Sequence, residues 1–173
     1  MSLRLRWLSP TAALTGLVFT VACQQTGSSG AASPANELAG VWSLAAVDPG
    51  GGSPLIQPSQ PGLYIFADRY YSAVFAPGAD PRIKSAISFQ PTTEEMVAQY
   101  ETIIVNAGTY EITGSTVTFR PVIAKSPGFL GGYQVSTFRV EGDTLVLTHD
   151  TLFSVDGVSP SDFGGVLTLV RAK

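Results

Sequence analysis

The sequence contains few of the side chains that metal and redox sites require, with one cysteine and one histidine among 173 residues. Cys23 has no partner for an intramolecular disulfide, and His149 alone cannot supply the several ligands of a zinc site. Charged residues make up only 13% of the chain without a basic run, which argues against a nucleic-acid partner. The chain also lacks the Gly-x-Ser-x-Gly segment of serine hydrolases. We therefore expect no cofactor and no metal.

The first 22 residues have the pattern of an export signal. Arg4 and Arg6 form a positively charged start, and an uncharged, mostly apolar stretch follows them. This stretch is short for a membrane span and is interrupted by Pro10. Residues 23–36, which begin “CQQTGSSG”, are small and polar, as is typical of a flexible linker.

The junction “TVAC” resembles the lipobox of bacterial lipoproteins, with the small Ala22 directly before Cys23. The resemblance implies cleavage before Cys23, lipidation of its thiol, and export to a lipid-anchored position on the cell envelope. Gln24 rather than Asp follows the cysteine. By resemblance to the sorting rules of such lipoproteins, this implies the periplasmic side of the outer membrane if the source is Gram-negative. Loss of the two signal arginines leaves 8 basic against 13 acidic residues, a net charge of −5. The membrane contact is therefore expected through lipid rather than through a basic surface.

Alternating apolar and polar residues, separated by turns, predict about eight strands in residues 37–173. “LYIFA” and “YYSAVFA” flank the pair Asp68-Arg69, and “YQVSTFRV” and “DTLVLTH” meet at Glu141-Gly142. Hairpin-length turns join most neighbouring strands, so we expect an all-β domain, an eight-stranded antiparallel up-and-down barrel. A two-sheet sandwich is the alternative that the pattern leaves open.

One short amphipathic helix is predicted within “TTEEMVAQYETIIVNAG”, lying against the barrel. Thr92 or Thr93 is the expected N-terminal cap, and Asn106 or Gly108 the expected end. The apolar positions at three- and four-residue spacing are Met96, Val97, Tyr100, Ile103 and Ile104.

Gly40 and Trp42 open the first strand, and Arg171 ends the last one. This combination resembles the kernel of the lipocalin superfamily, in which the Trp closes the barrel floor and the Arg packs across its indole. The order of “LAGVWSLAAV”, “GLYIFADRYYSAVF”, “NAGTYEITGSTVTFRPV” and “TFRVEGDTLVLT” is similar to the bacterial lipocalin-like domain family. The resemblance covers residues 37–171 and implies a barrel that binds a small hydrophobic or aromatic molecule.

The strands are rich in aromatic side chains, which either fill the barrel or line a pocket inside it. An eight-stranded barrel has room for a packed core or for one small ligand, and the sequence leaves both open. The candidate ligand-lining residues are Tyr64, Phe66, Tyr71, Phe75, Tyr110, Phe119 and Phe138.

Two other functions are weighed against ligand binding. The first is a calycin-type isomerase or cyclase similar to allene oxide cyclase, which needs an inward-facing Glu111, Glu141 or His149. His149 also resembles the haem ligand of barrels that open with Gly-x-Trp, but we interpret it as a strand-end residue beside Asp150. The second is a module that binds or inhibits another protein through an apolar patch on the loops at 49–61 or 152–164.

Overall fold

The computed structural model describes residues 36–160 and 163–173, which form a closed barrel of eight antiparallel strands. Each strand pairs with the next along the chain, and the last pairs with the first. The predicted signal peptide of residues 1–22, Cys23 and the linker up to residue 35 lie outside the described residues. The strands are β1 (Gly40–Asp48), β2 (Gly62–Ala67), β3 (Tyr70–Phe75), β4 (Ile104–Thr113), β5 (Thr116–Ala124), β6 (Tyr133–Glu141), β7 (Thr144–Phe153) and β8 (Val166–Arg171).

Side-chain alternation sets which face of each strand points inward. In β3, for example, Tyr71, Ala73 and Phe75 are buried while their neighbours are more exposed. Pairing of β1 with β8 runs from Trp42–Arg171 to Asp48–Val166 and closes the sheet on itself, so each of the eight strands has a partner on both sides. The barrel prediction is confirmed, and the sandwich alternative is wrong.

The two ends of the barrel differ in how the strands are joined. Short turns connect β2 to β3, β4 to β5 and β6 to β7 at the end where β1 begins, which we call the closed end. The other four connections between neighbouring strands include all the long loops, and they meet at the opposite end, which we call the open end. Because long loops form binding sites on rigid frames, the open end is where a ligand site is expected.

The helix α1 (Thr93–Glu101) lies between β3 and β4 and begins with a capping box. Glu95 donates its backbone N–H to the Thr92 hydroxyl and accepts the Thr92 N–H with its own carboxylate. The predicted end at Asn106 or Gly108 is wrong, because both residues lie within β4. The apolar pattern continues past Glu101, but Ile104 pairs with Phe75 and extends the sheet instead.

The apolar face of α1 is only partly covered by the rest of the domain. Met96, Val97 and Tyr100 are each about half exposed, at 49%, 51% and 51%. Polar contacts hold the helix, including the Tyr100 hydroxyl on the Lys125 carbonyl. Among the residues that the structure describes, no helix is long and apolar enough to cross a bilayer.

Candidate functional site

The closed end is sealed by the residues of the predicted kernel. Trp42 is fully buried and donates its indole N–H to the Leu38 carbonyl at 2.8 Å. The Arg171 guanidinium lies over the Trp42 ring, and its Nη1 donates to the Ala39 carbonyl at 3.0 Å. Gly40 has φ +126°, and a Cβ there would lie 2.8 Å from Arg171 Nη1. Access from this end is therefore blocked.

The seven aromatic candidates are all buried inside the barrel, where they pack against one another and against aliphatic side chains. Tyr71 and Phe119 meet edge to face with ring centres 4.7 Å apart, and Phe66 meets Tyr110 in the same way at 5.2 Å. Much of the barrel interior is thus a packed aromatic core. The full set is Tyr64, Phe66, Tyr71, Phe75, Tyr110, Phe119 and Phe138.

A cavity of about 10 Å³, which we call the inner cavity, lies within this core. Its lining carries the polar groups of Tyr64, Tyr71, Asn106 and Gln134, together with Ala73 and Phe119. The volume suits a single water molecule rather than an organic ligand. Burial raises the pKa of the Tyr64 and Tyr71 hydroxyls above their ordinary value, so both are neutral phenols.

A larger pocket of about 350 Å³, which we call the mouth pocket, lies at the open end. It falls within the size range of small-molecule sites, roughly 300–1,000 Å³. Asn106 lines both this pocket and the inner cavity, so the mouth pocket adjoins the polar part of the barrel interior. Its lining residues are Ile104, Asn106, Lys125, Ser126, Gly128, Phe129, Leu152, Ser154, Val158 and Pro160.

The mouth pocket exists because β5 and β6 separate near the open end. Their pairing ends at Phe119–Gln134, although β5 continues to Ala124. A 3₁₀ turn over Pro127–Phe129 then crosses the gap and buries Phe129. On the other side, β7 continues to Phe153 and leads into a turn. Two loops therefore form walls of the pocket.

The loop after β7 is held by local hydrogen bonds. The Ser154 hydroxyl accepts the Val158 N–H at 3.0 Å, and Ser154 donates its own N–H to the Val158 carbonyl at 2.9 Å. These paired bonds fix Val158 at the pocket wall. A serine side chain suits this position because its short hydroxyl can close a turn on a nearby backbone group.

A cluster of hydrogen-bonded polar side chains next to the inner cavity links β6 and β7. Gln134 Nε2 and Ser136 Oγ each lie 3.0 Å from His149 Nδ1, and Ser136 is fully buried. Because an amide nitrogen only donates, Nδ1 accepts and the ring proton is on Nε2. Burial lowers the pKa of His149 to about 4, although the nearby Asp150 carboxylate acts to raise it. The imidazole ring also stacks on the Phe163 ring.

The structure revises the interpretation of His149. Strand β7 continues to Phe153, so His149 is not at a strand end, and its side chain points inward. A register shift between Val135 and Ser136 accommodates this arrangement. Glu111 and Glu141, the other acid–base candidates, are exposed. His149 is thus the one of the three that faces the barrel interior.

The apolar loop residues considered for a protein partner are also at the open end. Leu55 on the first long loop is 57% exposed, and Val155 and Val158 on the last are 62% and 65% exposed. Val158 is already part of the mouth pocket.

A further depression of about 490 Å³ lies on the outer face of β2 and β3, over Leu63 and Val74 and beside Arg82 and Lys84. Apart from Phe75 and Gly62, its strand-borne lining faces away from the barrel interior. We therefore regard the mouth pocket as the candidate ligand site of this fold.

The residues predicted from the sequence lie near this site but do not line it. Tyr64, Tyr71 and Phe119 line the inner cavity, but none of the seven aromatic candidates lines the mouth pocket. The residues that this prediction missed come mainly from strand ends and loops, where no periodic pattern identifies an inward face. Within residues 36–160 and 163–173, no group of three or more metal-ligating side chains occurs. No protein-family model and no curated protein sequence matches this chain.

Proposed function

We propose that the protein is a lipocalin-like lipoprotein of the cell envelope that binds one small hydrophobic or aromatic molecule at the open end of its barrel. The observation that carries the proposal is the mouth pocket, which is about 350 Å³ and meets the polar interior at Asn106. The packed core beneath it provides a rigid floor, as ligand sites on loops require. Arg171 over Trp42 at the opposite end supports the lipocalin-like assignment.

The apolar walls of the mouth pocket provide the driving force for binding. Ile104, Phe129 and Leu152 bring three large apolar side chains to one space. Each methylene of a ligand that leaves water for such a space gains about 0.8 kcal/mol, before the cost of lost translational freedom. The residues that line the mouth pocket contact the ligand directly. The aromatic core residues below the pocket support its shape.

Dye binding tests this site. N-phenyl-1-naphthylamine, an uncharged apolar dye, is titrated into the full-length chain and its fluorescence is followed. Ser126 is exposed at the pocket and its side chain does not cap the 3₁₀ turn, so Ser126→Trp adds bulk there without disturbing the core. Ser115→Trp places the same ring in the turn between β4 and β5 at the closed end.

The proposal predicts that Ser126→Trp weakens dye binding at least about tenfold, which corresponds to about 1.4 kcal/mol. Ser115→Trp leaves the affinity unchanged. Equal affinities for both variants and the parent would place the dye elsewhere, including on the apolar N-terminal segment, and would refute the mouth pocket as the site.

Lipid anchoring through Cys23 is a separate part of the proposal. It rests on the “TVAC” junction and the polar linker that follows it. Asn36, at the end of that linker, donates its side-chain amide to the Tyr110 hydroxyl and to the Asp68 carbonyl near the closed end. An anchor on this linker therefore joins the barrel at the end opposite the mouth pocket. Incorporation of a radiolabelled fatty acid should be lost in Cys23→Ala, and unchanged labelling would exclude this anchor.

A calycin-type isomerase or cyclase is the second candidate function, and the inward-facing His149 is the observation that favours it. Its Nδ1 contacts Ser136 and Gln134, while a pKa of about 4 keeps the ring neutral and weakly basic at pH 7. Such a ring could shuttle a proton only for an acidic substrate position. The test is turnover of an epoxide or enone substrate by the parent and by His149→Gln. Activity that His149→Gln abolishes would favour the enzyme.

A further inference from the structure

The polar groups at the inner end of the mouth pocket identify the chemical class of its ligand. We infer that the pocket takes an uncharged amphiphile, with a hydroxyl, carbonyl or amide end directed inward to Asn106 and an apolar body among Ile104, Phe129 and Leu152. This inference rests on the proposed function and specifies what that site selects.

Asn106 is positioned to form hydrogen bonds with the inward end of such a molecule. It projects from β4 on the same face as Tyr110, with Gly108 between them. It lines both the mouth pocket and the inner cavity, so its amide lies where the two spaces adjoin. An amide offers a donor and an acceptor, which lets it bond to hydroxyl, carbonyl or amide groups alike.

The groups beyond Asn106 are neutral. The polar lining of the inner cavity includes Tyr64, Tyr71 and Gln134, and none of the described residues that line it carries a positive charge. His149 beside Gln134 is also neutral at pH 7, because burial lowers its pKa to about 4. A carboxylate pushed inward would lose its hydration without gaining an ion pair, which is costly in a buried site. The inner end thus favours neutral polar groups over anions.

Among the described residues that line the mouth pocket, Lys125 is the one cation, and it is already engaged with α1. Its ammonium donates to the Tyr100 carbonyl at 3.2 Å and lies 4.8 Å from the centre of the Tyr100 ring. The Tyr100 hydroxyl in turn donates to the Lys125 carbonyl at 2.9 Å. A carboxylate at the outer rim would have to compete with these contacts, so an anionic ligand with its charge outward is the less favourable arrangement.

The inference is tested with two probes that share a chain and differ in the head group, 1-decanol and decanoate. Each displaces N-phenyl-1-naphthylamine from the full-length chain at pH 7.5, where decanoate is charged. We expect decanol to bind at least about tenfold more tightly, because decanoate has to lose the hydration of its carboxylate without gaining an ion pair; tenfold corresponds to about 1.4 kcal/mol.

Asn106→Leu and Lys125→Met form the matched pair of variants. Asn106→Leu keeps the side-chain size and removes the amide, so it should weaken decanol about tenfold relative to the dye, which has no hydroxyl or carbonyl head group. A circular dichroism spectrum equal to that of the parent shows that the variant is folded. Lys125→Met removes the charge at the rim and tests whether a carboxylate binds there instead. Ser115→Leu, in the turn at the closed end, is the control and should leave decanol affinity unchanged.

Each other outcome overturns the inference in an identifiable way. Tighter binding of decanoate, lost in Lys125→Met, would mean that the pocket selects an anion with its charge outward. Equal decanol affinity in Asn106→Leu would remove the head-group role of Asn106 but leave pocket binding intact. Dye binding that Ser126→Trp does not weaken would overturn the proposed function itself, and this inference with it.

Discussion

The guanidinium carbon of Arg171 lies 4.2 Å from the centre of the Trp42 ring, and the two residues are also paired across β1 and β8. The same guanidinium donates to the Ala39 carbonyl and lies 3.8 Å from the Asp143 carboxylate. Arg171 thus joins the first strand, the last strand and the turn between β6 and β7. It closes the barrel at the end opposite the mouth pocket.

Arg171→Gln should lower the free energy of unfolding by about 0.5–2 kcal/mol, the range of a cation–π contact that is partly shielded from water. Urea titration followed by circular dichroism measures the change. Arg139→Gln is the control, because Arg139 forms only an exposed ion pair with Glu141. Equal losses for the two variants would mean that the stacking on Trp42 contributes nothing.

Trp42→Ala should cost roughly 3–5 kcal/mol of stability, as for other fully buried aromatic side chains. The affinity of the mouth pocket for N-phenyl-1-naphthylamine should be unchanged, because Trp42 lies at the other end of the barrel. If Trp42→Ala does not fold, Trp42→Phe provides the same comparison at a smaller cost. A large loss of dye affinity in a folded variant would mean that the two ends are coupled.

Gly40→Ala should destabilise the domain by more than about 1 kcal/mol, because positive φ is strained for alanine. The new Cβ would also meet Arg171 Nη1 at 2.8 Å. Gly51→Ala is the comparison, since Gly51 also has positive φ, at +62°, but no atom of the described residues lies within 4 Å of its Cβ position. Thermal unfolding of both variants measures the difference. Equal shifts in Tm would assign the whole effect of Gly40 to its backbone and none to the contact with Arg171.

His149 should make stability fall as the pH is lowered from about 6.5 to about 4. In that window the unfolded imidazole takes up a proton while the folded one stays neutral, so protonation favours the unfolded chain. Between pH 7.5 and pH 5.0 this amounts to about 2 kcal/mol. Above about pH 7 the contribution is constant.

Urea titrations at both pH values, on the parent and on His149→Gln, isolate this effect. The variant keeps a hydrogen-bonding side chain but cannot titrate, so its loss of stability at pH 5.0 should be smaller by about 2 kcal/mol. The same pH dependence in both proteins would show that the imidazole is protonated equally easily in the folded and unfolded states.

The sequence predicts most of the barrel because alternation is strong in its strands. Tyr71, Ala73 and Phe75 show how a period of two marks the inward face without any other information. The pairing of “LYIFA” with “YYSAVFA” across Asp68-Arg69 is observed as β2 and β3, although Asp68 must adopt φ 53° to make the turn. Local pattern and long-range pairing agree there.

Prediction was wrong where local pattern and sheet pairing conflict. Ile103 and Ile104 continue the helical spacing of α1, but hydrogen bonds to β3 are available to Ile104 and the chain becomes strand. Gly108 is needed in that strand, since a Cβ there would lie 2.0 Å from the Arg120 carbonyl oxygen. Gly108 lets the backbones of β4 and β5 approach closely. A single sequence cannot distinguish a glycine with this role from a glycine that ends a helix.

The candidate site was harder to predict than the fold. The aromatic residues are conspicuous in the sequence, yet they pack against one another and leave a cavity of only about 10 Å³. The mouth pocket depends instead on where β5 and β6 separate and on how the loop after β7 turns at Ser154. Both features depend on contacts between segments that are distant in the sequence, such as where two strands stop pairing. Residue types along the chain do not reveal them.

Hydrogen exchange with and without N-phenyl-1-naphthylamine tests ligand binding at the open end, because it locates the bound molecule along the chain. Binding in the mouth pocket should slow exchange in its walls, at residues 126–130 and 152–158. Residues 38–42 at the closed end should be unchanged. Protection confined to residues 60–63 and 74–76, at the depression on the outer face of β2 and β3, or confined to the closed end would contradict a ligand site at the open end of the barrel.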